Sequence, residues 1–131
     1  MNSTAQPTAT TPLVLVVEDE PAIASILTAY LERDGLRSRM ASDGQEALQL
    51  FRLLRPDLVL LDIHLPGMDG LSVVREMKTD ERTNRIPILA LTAHAMRGDK
   101  DRFLEAGCDG YISKPIDVKT FLSSIEQFMK P

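Results

Sequence analysis

Four apolar runs in this chain each give way to residues able to do chemistry. Leu13–Val17 is followed by Glu18-Asp19-Glu20, and residues 58–61 are followed by Asp62. Residues 86–91 are followed by Thr92-Ala93, and Gly110–Ser113 by Lys114-Pro115. Brought together, these are carboxylates, a hydroxyl and an ammonium. Grouped carboxylates repel, and each raises its neighbours' pKa unless a positive charge compensates. A hard divalent cation does so most simply, because Mg2+ takes oxygen ligands and commonly binds one or two carboxylates plus a phosphate. With one cysteine and two histidines in the whole chain, no Cys/His cluster competes for a softer metal. A cation, a carboxylate, a hydroxyl and an ammonium together suit a phosphoryl group. The carboxylate can be its nucleophile, giving an aspartyl phosphate.

That chemistry requires elements that carry the four run ends to one place. Leu13-Val14-Leu15-Val16-Val17 is unbroken and β-type, as expected of a strand buried on both faces of a parallel sheet. Pro21 then opens a helix in which Ile23, Ile26, Leu27, Tyr30 and Leu31 recur at helical spacing, and Gly35 stops it. Residues 37–41 read as a weaker strand near an edge. Asp43 with Glu46 three residues on predicts a capped helix start, and Pro56 ends that helix. Residues 58–61 are a second buried strand, and a helix is expected over 70–79. Residues 86–91 are another strand, with Pro87 near its first position, where proline is tolerated. A helix over 95–106, a short strand at 110–113 and an amphipathic helix carrying Val118, Phe121, Leu122, Ile125, Phe128 and Met129 complete the pattern. Five strands alternating with five helices predict an α/β domain, with a mostly parallel sheet covered on both faces. In such open sheets the ligand crevice lies outside the C-terminal strand ends, where the chemical residues stand.

Composition narrows the function classes. The 131 residues fit one domain. Net charge is −4, and residues 66–131 hold ten acids and ten bases, so neither half favours direct nucleic-acid binding. The longest apolar runs are about five residues, far below the ~18 needed to cross a bilayer. The N-terminus has no basic start followed by an apolar run. A cytoplasmic protein with no membrane role is the expectation. Residues 1–12 carry no charged side chain and read as a disordered lead, leaving 13–131 as the folded unit.

The sequence resembles the CheY-like response-regulator receiver domains, and among them the single-domain, DivK-like response regulators. The resemblance rests on Val16-Val17-Glu18-Asp19-Glu20, on Leu61-Asp62-Ile63-His64-Leu65-Pro66-Gly67-Met68-Asp69-Gly70, on Leu91-Thr92-Ala93-His94, and on Gly110-Tyr111-Ile112-Ser113-Lys114-Pro115. These motifs span most of residues 13–131 in the right order. The resemblance implies a doubly wound, flavodoxin-like (βα)5 fold with strand order 2-1-3-4-5. It implies that Asp62 accepts a phosphoryl group from the phosphohistidine of a histidine kinase or histidine phosphotransfer protein. It places Mg2+ on Glu18, Asp19, Asp62 and the backbone carbonyl of His64. Thr92 and Lys114 would hold phosphoryl oxygens, Tyr111 would be the aromatic switch coupled to Thr92, and the Lys114–Pro115 bond would be cis. The implied protein is a signalling phosphoacceptor rather than an enzyme, catalysing only its own phosphorylation and dephosphorylation. It would be monomeric, and a downstream protein effector would read its state over the helix at 95–106, the Tyr111 strand and the last helix.

Plainer readings stand beside these. The acids at 18–20 can be a solvated helix start favoured by the dipole, and Glu20 fits that description. Thr92 alone reads as a helix cap and Lys114 alone as surface charge. His64 and His94 lack metal-ligand spacing and read as exposed loop residues, although in the family their positions tune how long the phosphate lasts. Cys108 reads as a small packing residue. Arg97, Lys100 and Arg102 alternate with Asp99, Asp101 and Glu105 as on a solvated helix face. Two other function classes compete. A Mg2+-dependent phosphatase with an aspartate nucleophile would carry Asp-x-Asp after its first strand, whereas Asp62-Ile63-His64 follows the third. A receiver-shaped module that is never phosphorylated would not need Glu18, Asp19, Asp62, Thr92 and Lys114 together.

Overall fold

The computed structural model describes residues 11–65, 67, 69–93 and 99–129. The chain runs β1 (Leu13–Val17), α1 (Pro21–Arg33), β2 (Arg37–Ala41), α2 (Gly44–Leu54), β3 (Leu58–Asp62), α3 (Gly70–Met77), β4 (Ile88–Thr92), α4 (Asp99–Ala106), β5 (Gly110–Ser113) and α5 (Val118–Met129). The sheet is parallel, in the order β2-β1-β3-β4-β5. This is the doubly wound α/β architecture expected from the sequence.

Strand alternation explains the layering. In β1, β3 and β4 every residue is buried, because helices cover both faces. Leu15, Val17, Val59, Leu61, Ile88 and Ala90 project to one side, against Phe51 of α2, Val74 and Met77 of α3 and Phe103 of α4. Val14, Val16, Leu58, Leu60, Leu89 and Leu91 project to the other, against Leu27 and Leu31 of α1 and Phe121 and Ile125 of α5. Each fully buried leucine contributes about 1.5–3 kcal/mol relative to an exposed one. The edge strands β2 and β5 are only partly buried, in keeping with their mixed sequences.

Register fixes where the strand ends fall. Val17 lies opposite Leu61, Asp62 opposite Leu91, and Thr92 opposite Ser113. Glu18, Asp62, Thr92 and Lys114 therefore occupy neighbouring rungs at one edge. Two aspartates lock this register at the opposite edge. Asp57 donates its N–H to Leu13 O at 2.8 Å, and its carboxylate accepts the Leu13 N–H at 2.8 Å. Asp109 repeats the arrangement on Ile88, at 2.8 Å and 2.8 Å, and also takes the Lys78 ammonium at 3.1 Å. Strand N–H groups that would otherwise end the ladder unpaired are thereby satisfied.

Several boundaries differ from the sequence expectation, each for a local reason. The fourth strand begins at Ile88 rather than 86, because Pro87 has no N–H to give and Ile86 turns back on Thr83 O at 3.1 Å. Asp62 and Thr92 are the last residues of their strands, not the first of the loops. α3 ends at Met77 rather than 79, because the closing bonds tighten: Thr79 N–H reaches Glu76 O at 3.2 Å, three residues back. Ile26, counted on the apolar side of α1, is 46% exposed, whereas Ala24, Leu27 and Leu31 make the buried stripe. Asp43 caps α2 as expected, accepting the Glu46 N–H at 2.8 Å, but Glu46 reaches back to the N–H of Ser42, one residue beyond the cap. Thr11 and Pro12, read as the end of the lead, are tied to Arg37 through their carbonyls at 2.7 Å and 3.0 Å. The start of the expected 95–106 helix lies outside the described residues, as do residues 1–10.

Gly70 allows α3 to start directly against the segment after β3. A Cβ there would stand 2.6 Å from the Ile63 carbonyl oxygen and 2.7 Å from Ile63 Cα. Because the obstacle is backbone, Gly70→Ala must displace either α3 or the residues next to Asp62. We expect it to cost about 1–3 kcal/mol in urea unfolding, the scale of overpacking a core. Unchanged stability would show that this approach is not a constraint.

Candidate functional site at the C-terminal edge of the sheet

The chain crosses from β2 back over β1 to β3, so β1 and β3 diverge at a topological switch point. Ligand crevices form at such points, outside the carboxyl ends of the strands. Glu18 follows β1, and its N–H is held by Ala41 O of β2 at 3.0 Å. Asp62 closes β3, and its neighbour Ile63 donates to Leu91 O at 3.1 Å. Lys114 follows β5 and donates its backbone N–H to Thr92 O at 2.8 Å. The side chains are thus aimed by backbone already committed to the sheet.

At the centre, Lys114 Nζ donates to Glu18 Oε1 at 2.9 Å and to Asp62 Oδ2 at 3.2 Å. The other oxygens are also engaged. Asp62 Oδ1 accepts the His64 N–H at 2.9 Å, and Glu18 Oε2 accepts the Glu20 N–H at 3.2 Å. Glu18 is 3% exposed and Asp62 4%. Asp19 is half-buried beside them, and ligand oxygens of Glu18, Asp19 and Asp62 lie within 4.8 Å of one another.

Burial pushes the Glu18 carboxyl above its ordinary pKa, and the Asp62 charge adds to the push. The Lys114 and Glu20 hydrogen bonds oppose this without cancelling it. Burial alone would pull the Lys114 ammonium down. Its hydrogen bond to Glu18 and the charge of Asp62 together outweigh burial and hold it above the usual lysine value. Three carboxylates against one ammonium leave two negative charges uncompensated. An all-oxygen donor set with that deficit fits a hard divalent cation of the Mg2+ type.

The remaining candidates fall around this centre. Thr92 is fully buried at the end of β4. Tyr111 lies on β5, 40% exposed, with its ring 6.2 Å from that of Phe103 on α4. His64 contributes its backbone at the site while its side chain is exposed. Glu20 is exposed and precedes α1, as its plainer reading had it, and its N–H steadies Glu18. The Lys114–Pro115 bond is cis, as the resemblance implied. Cys108 is buried, and burial pushes its thiol up to about 11, which matches a packing role. His94, Pro66 and Met68 lie outside the described residues. Nothing in the residue pattern points to Phe103 beside Tyr111, because the contact joins two elements that the pattern treats separately.

Comparison with known proteins agrees with this geometry. The response regulator receiver domain family matches residues 14–126. The polar-differentiation response regulator DivK of Brucella anthropi is 40% identical over 116 residues, covering 88% of this chain and 94% of the relative. The receiver domain of the sensor histidine kinase PA1611 from Pseudomonas aeruginosa, solved with a magnesium ion coordinated in its active site cleft, superposes with a TM-score of 0.84 at 33% identity over 92% of this chain and 98% of that one. The chemotaxis response regulator CheY4 of Vibrio cholerae gives 0.86 at 28% identity, over 91% and 99%. Among the described residues no helix is long and apolar enough to cross a membrane. With its fold, strand-end chemistry and relatives in agreement, the chain belongs to the response regulator receiver domain family, the switch module of two-component signalling.

Proposed function

We propose that Asp62 accepts a phosphoryl group from the phosphohistidine of a histidine kinase or histidine phosphotransfer protein, and that the phosphate changes which protein the chain binds. The observation that carries this reading is Asp62 at the end of β3, its two oxygens held by Lys114 and the His64 N–H, within ligand distance of Glu18 and Asp19. An Asp62 oxygen forms the new O–P bond as the P–N bond of the donor breaks. Lys114 pairs with one phosphoryl oxygen, and the Thr92 hydroxyl, at the end of the next strand, bonds another. Mg2+, held by Glu18, Asp19, Asp62 and the His64 carbonyl, supplies neutralisation of the phosphoryl oxygens when bound. The magnesium in the PA1611 cleft supports this assignment. Transfer of this kind needs mainly positioning and charge neutralisation, so the chain acts as a phosphoacceptor that assists its own labelling and has no separate substrate.

The readout follows from Thr92 and Tyr111. Drawing Thr92 toward the phosphoryl group opens space into which the Tyr111 ring turns. That alters the face formed by α4, β5 and α5, where Leu89, Phe103, Leu104, Gly110, Tyr111 and Phe128 help line a cavity of about 230 Å³. A downstream protein that prefers one arrangement binds according to phosphorylation state.

Intact mass after incubation with acetyl phosphate and Mg2+ tests the assignment. Wild type should gain one phosphoryl group and Asp62→Asn none; equal labelling of both would overturn it. A second expectation concerns Glu18. Its folded pKa lies above the ordinary carboxyl value of 4.5, so the stability it contributes is full below 4.5 and is lost as pH rises through the folded value. In Mg2+-free buffer, the melting temperature of wild type relative to Glu18→Gln should therefore fall as pH is raised from 4.5 to neutrality. Mg2+ at neutral pH should restore wild type more than the variant. A gap independent of pH would contradict the buried, charged state of Glu18. A third expectation is that Thr92→Ala still labels on Asp62 but binds beryllofluoride, a phosphoryl mimic, more weakly, by a coupling on the order of 1–3 kcal/mol. Unaltered affinity would remove Thr92 from the switch.

A further inference from the structure

Tyr111 pairs in register with Ala90 of β4, and Thr92 lies two residues further along that strand. Side chains alternate along a strand, so Ala90, Thr92 and Tyr111 share the sheet face that α3 and α4 cover. On that face the β4 neighbour directly opposite Tyr111 is only the methyl group of Ala90, and the next rung toward the site pairs Thr92 with Ser113. What stands against the Tyr111 ring is Phe103. The two rings meet edge to face, with centroids 6.2 Å apart and planes at 61°. Their surroundings differ sharply. Phe103 is 4% exposed and packed in the core with Val74, Ala90 and Ala106, whereas Tyr111 is 40% exposed. One ring is anchored and the other is free to leave.

We propose that Phe103 is a positioning residue that holds Tyr111 outward and so sets how far the unphosphorylated chain lies from its switched state. The inference rests on the reading of Thr92 and Tyr111 as the switch, and assigns its restraining element. To turn toward Thr92, the Tyr111 ring must give up its edge contact with Phe103, and Phe103, buried in the core with Val74, Ala90 and Ala106, does not follow. A contact made in only one of two states favours that state by its full strength. A phosphoryl mimic that requires the other state then binds more weakly, in proportion to the fraction of chains already competent. The strength of an edge-to-face aromatic pair corresponds to a roughly two- to twelvefold change in that fraction.

The test uses the full chain labelled with 3-fluorotyrosine. It has two tyrosines, so the fluorine resonance of Tyr111 is assigned by its loss in Tyr111→Phe. Spectra are recorded with Mg2+, with and without beryllofluoride, for wild type, for the ring-less variants Phe103→Leu and Phe103→Met, and for the ring-retaining Phe103→Tyr. In wild type the Tyr111 resonance should move on adding beryllofluoride. The ring-less variants should start displaced toward the saturated position and bind beryllofluoride roughly two- to twelvefold more tightly. Phe103→Tyr should behave as wild type. A purely structural role for Phe103 would lower the melting temperature without tightening beryllofluoride binding. If wild type responds but the ring-less variants start at its position, or bind the mimic equally or more weakly, Phe103 is not the restraint and the Thr92–Tyr111 switch stands without it. If the wild-type resonance does not respond, the switch reading itself fails, and this inference with it.

Discussion

The ammonium of Lys114, lodged between the carboxylates of Glu18 and Asp62, is the interaction on which the rest of the structure depends. Two carboxylates buried this deeply are costly alone, because removing an ion from water carries an effective penalty of several kcal/mol. One shared cation offsets part of that cost for both. The partners lie 96 and 52 residues apart in sequence, so only the folded sheet can bring them together. The sheet does so through register. Asp57 and Asp109 lock the strand starts, and the strand ends then fall on neighbouring rungs within ion-pair distance.

The compensation is incomplete, and function follows from what is left over. The remaining negative charge suits a divalent cation. On the proposed function, cation and lysine together would turn the pocket from one that repels anions into one that receives a phosphoryl group. The pocket is linked to the outer face through β4 and β5. In the proposed switch, a shift of Thr92, at the end of β4, would free space for Tyr111, which pairs with Ala90 two residues earlier on that strand. Such a switch would need no new fold on phosphorylation, only a change in the balance between two side-chain arrangements.

Much of this was legible in the residues. Unbroken apolar runs marked β1, β3 and β4, because strands covered on both faces have no polar side to show. Asp43 with Glu46, Pro21 and Gly35 marked helix ends through capping and backbone chemistry that acts within a few residues. Where neighbouring residues compete, pattern and structure part. Pro87 fits the strand pattern but brings only a carbonyl to the ladder, accepting the Val59 N–H at 2.9 Å, and Ile26 fits the helical period yet faces outward. Long-range facts were not readable from pattern at all. The strand order and the cis bond before Pro115 are implied by family resemblance alone, whereas the pairing of Lys114 with Glu18 is visible only in the structure. The Phe103–Tyr111 contact is likewise visible only there, since it depends on how α4 lies on the sheet.

The central claim is that Lys114 and a divalent cation compensate the same buried charge. Mg2+ titration of wild type and Lys114→Met tests it most directly, with melting curves recorded in parallel. Removing the ammonium should destabilise the Mg2+-free chain. It should also tighten Mg2+ binding by about fivefold or more, the effect of one unit charge a few ångströms away. Mg2+ affinity that is unchanged or weakened in Lys114→Met would contradict the account.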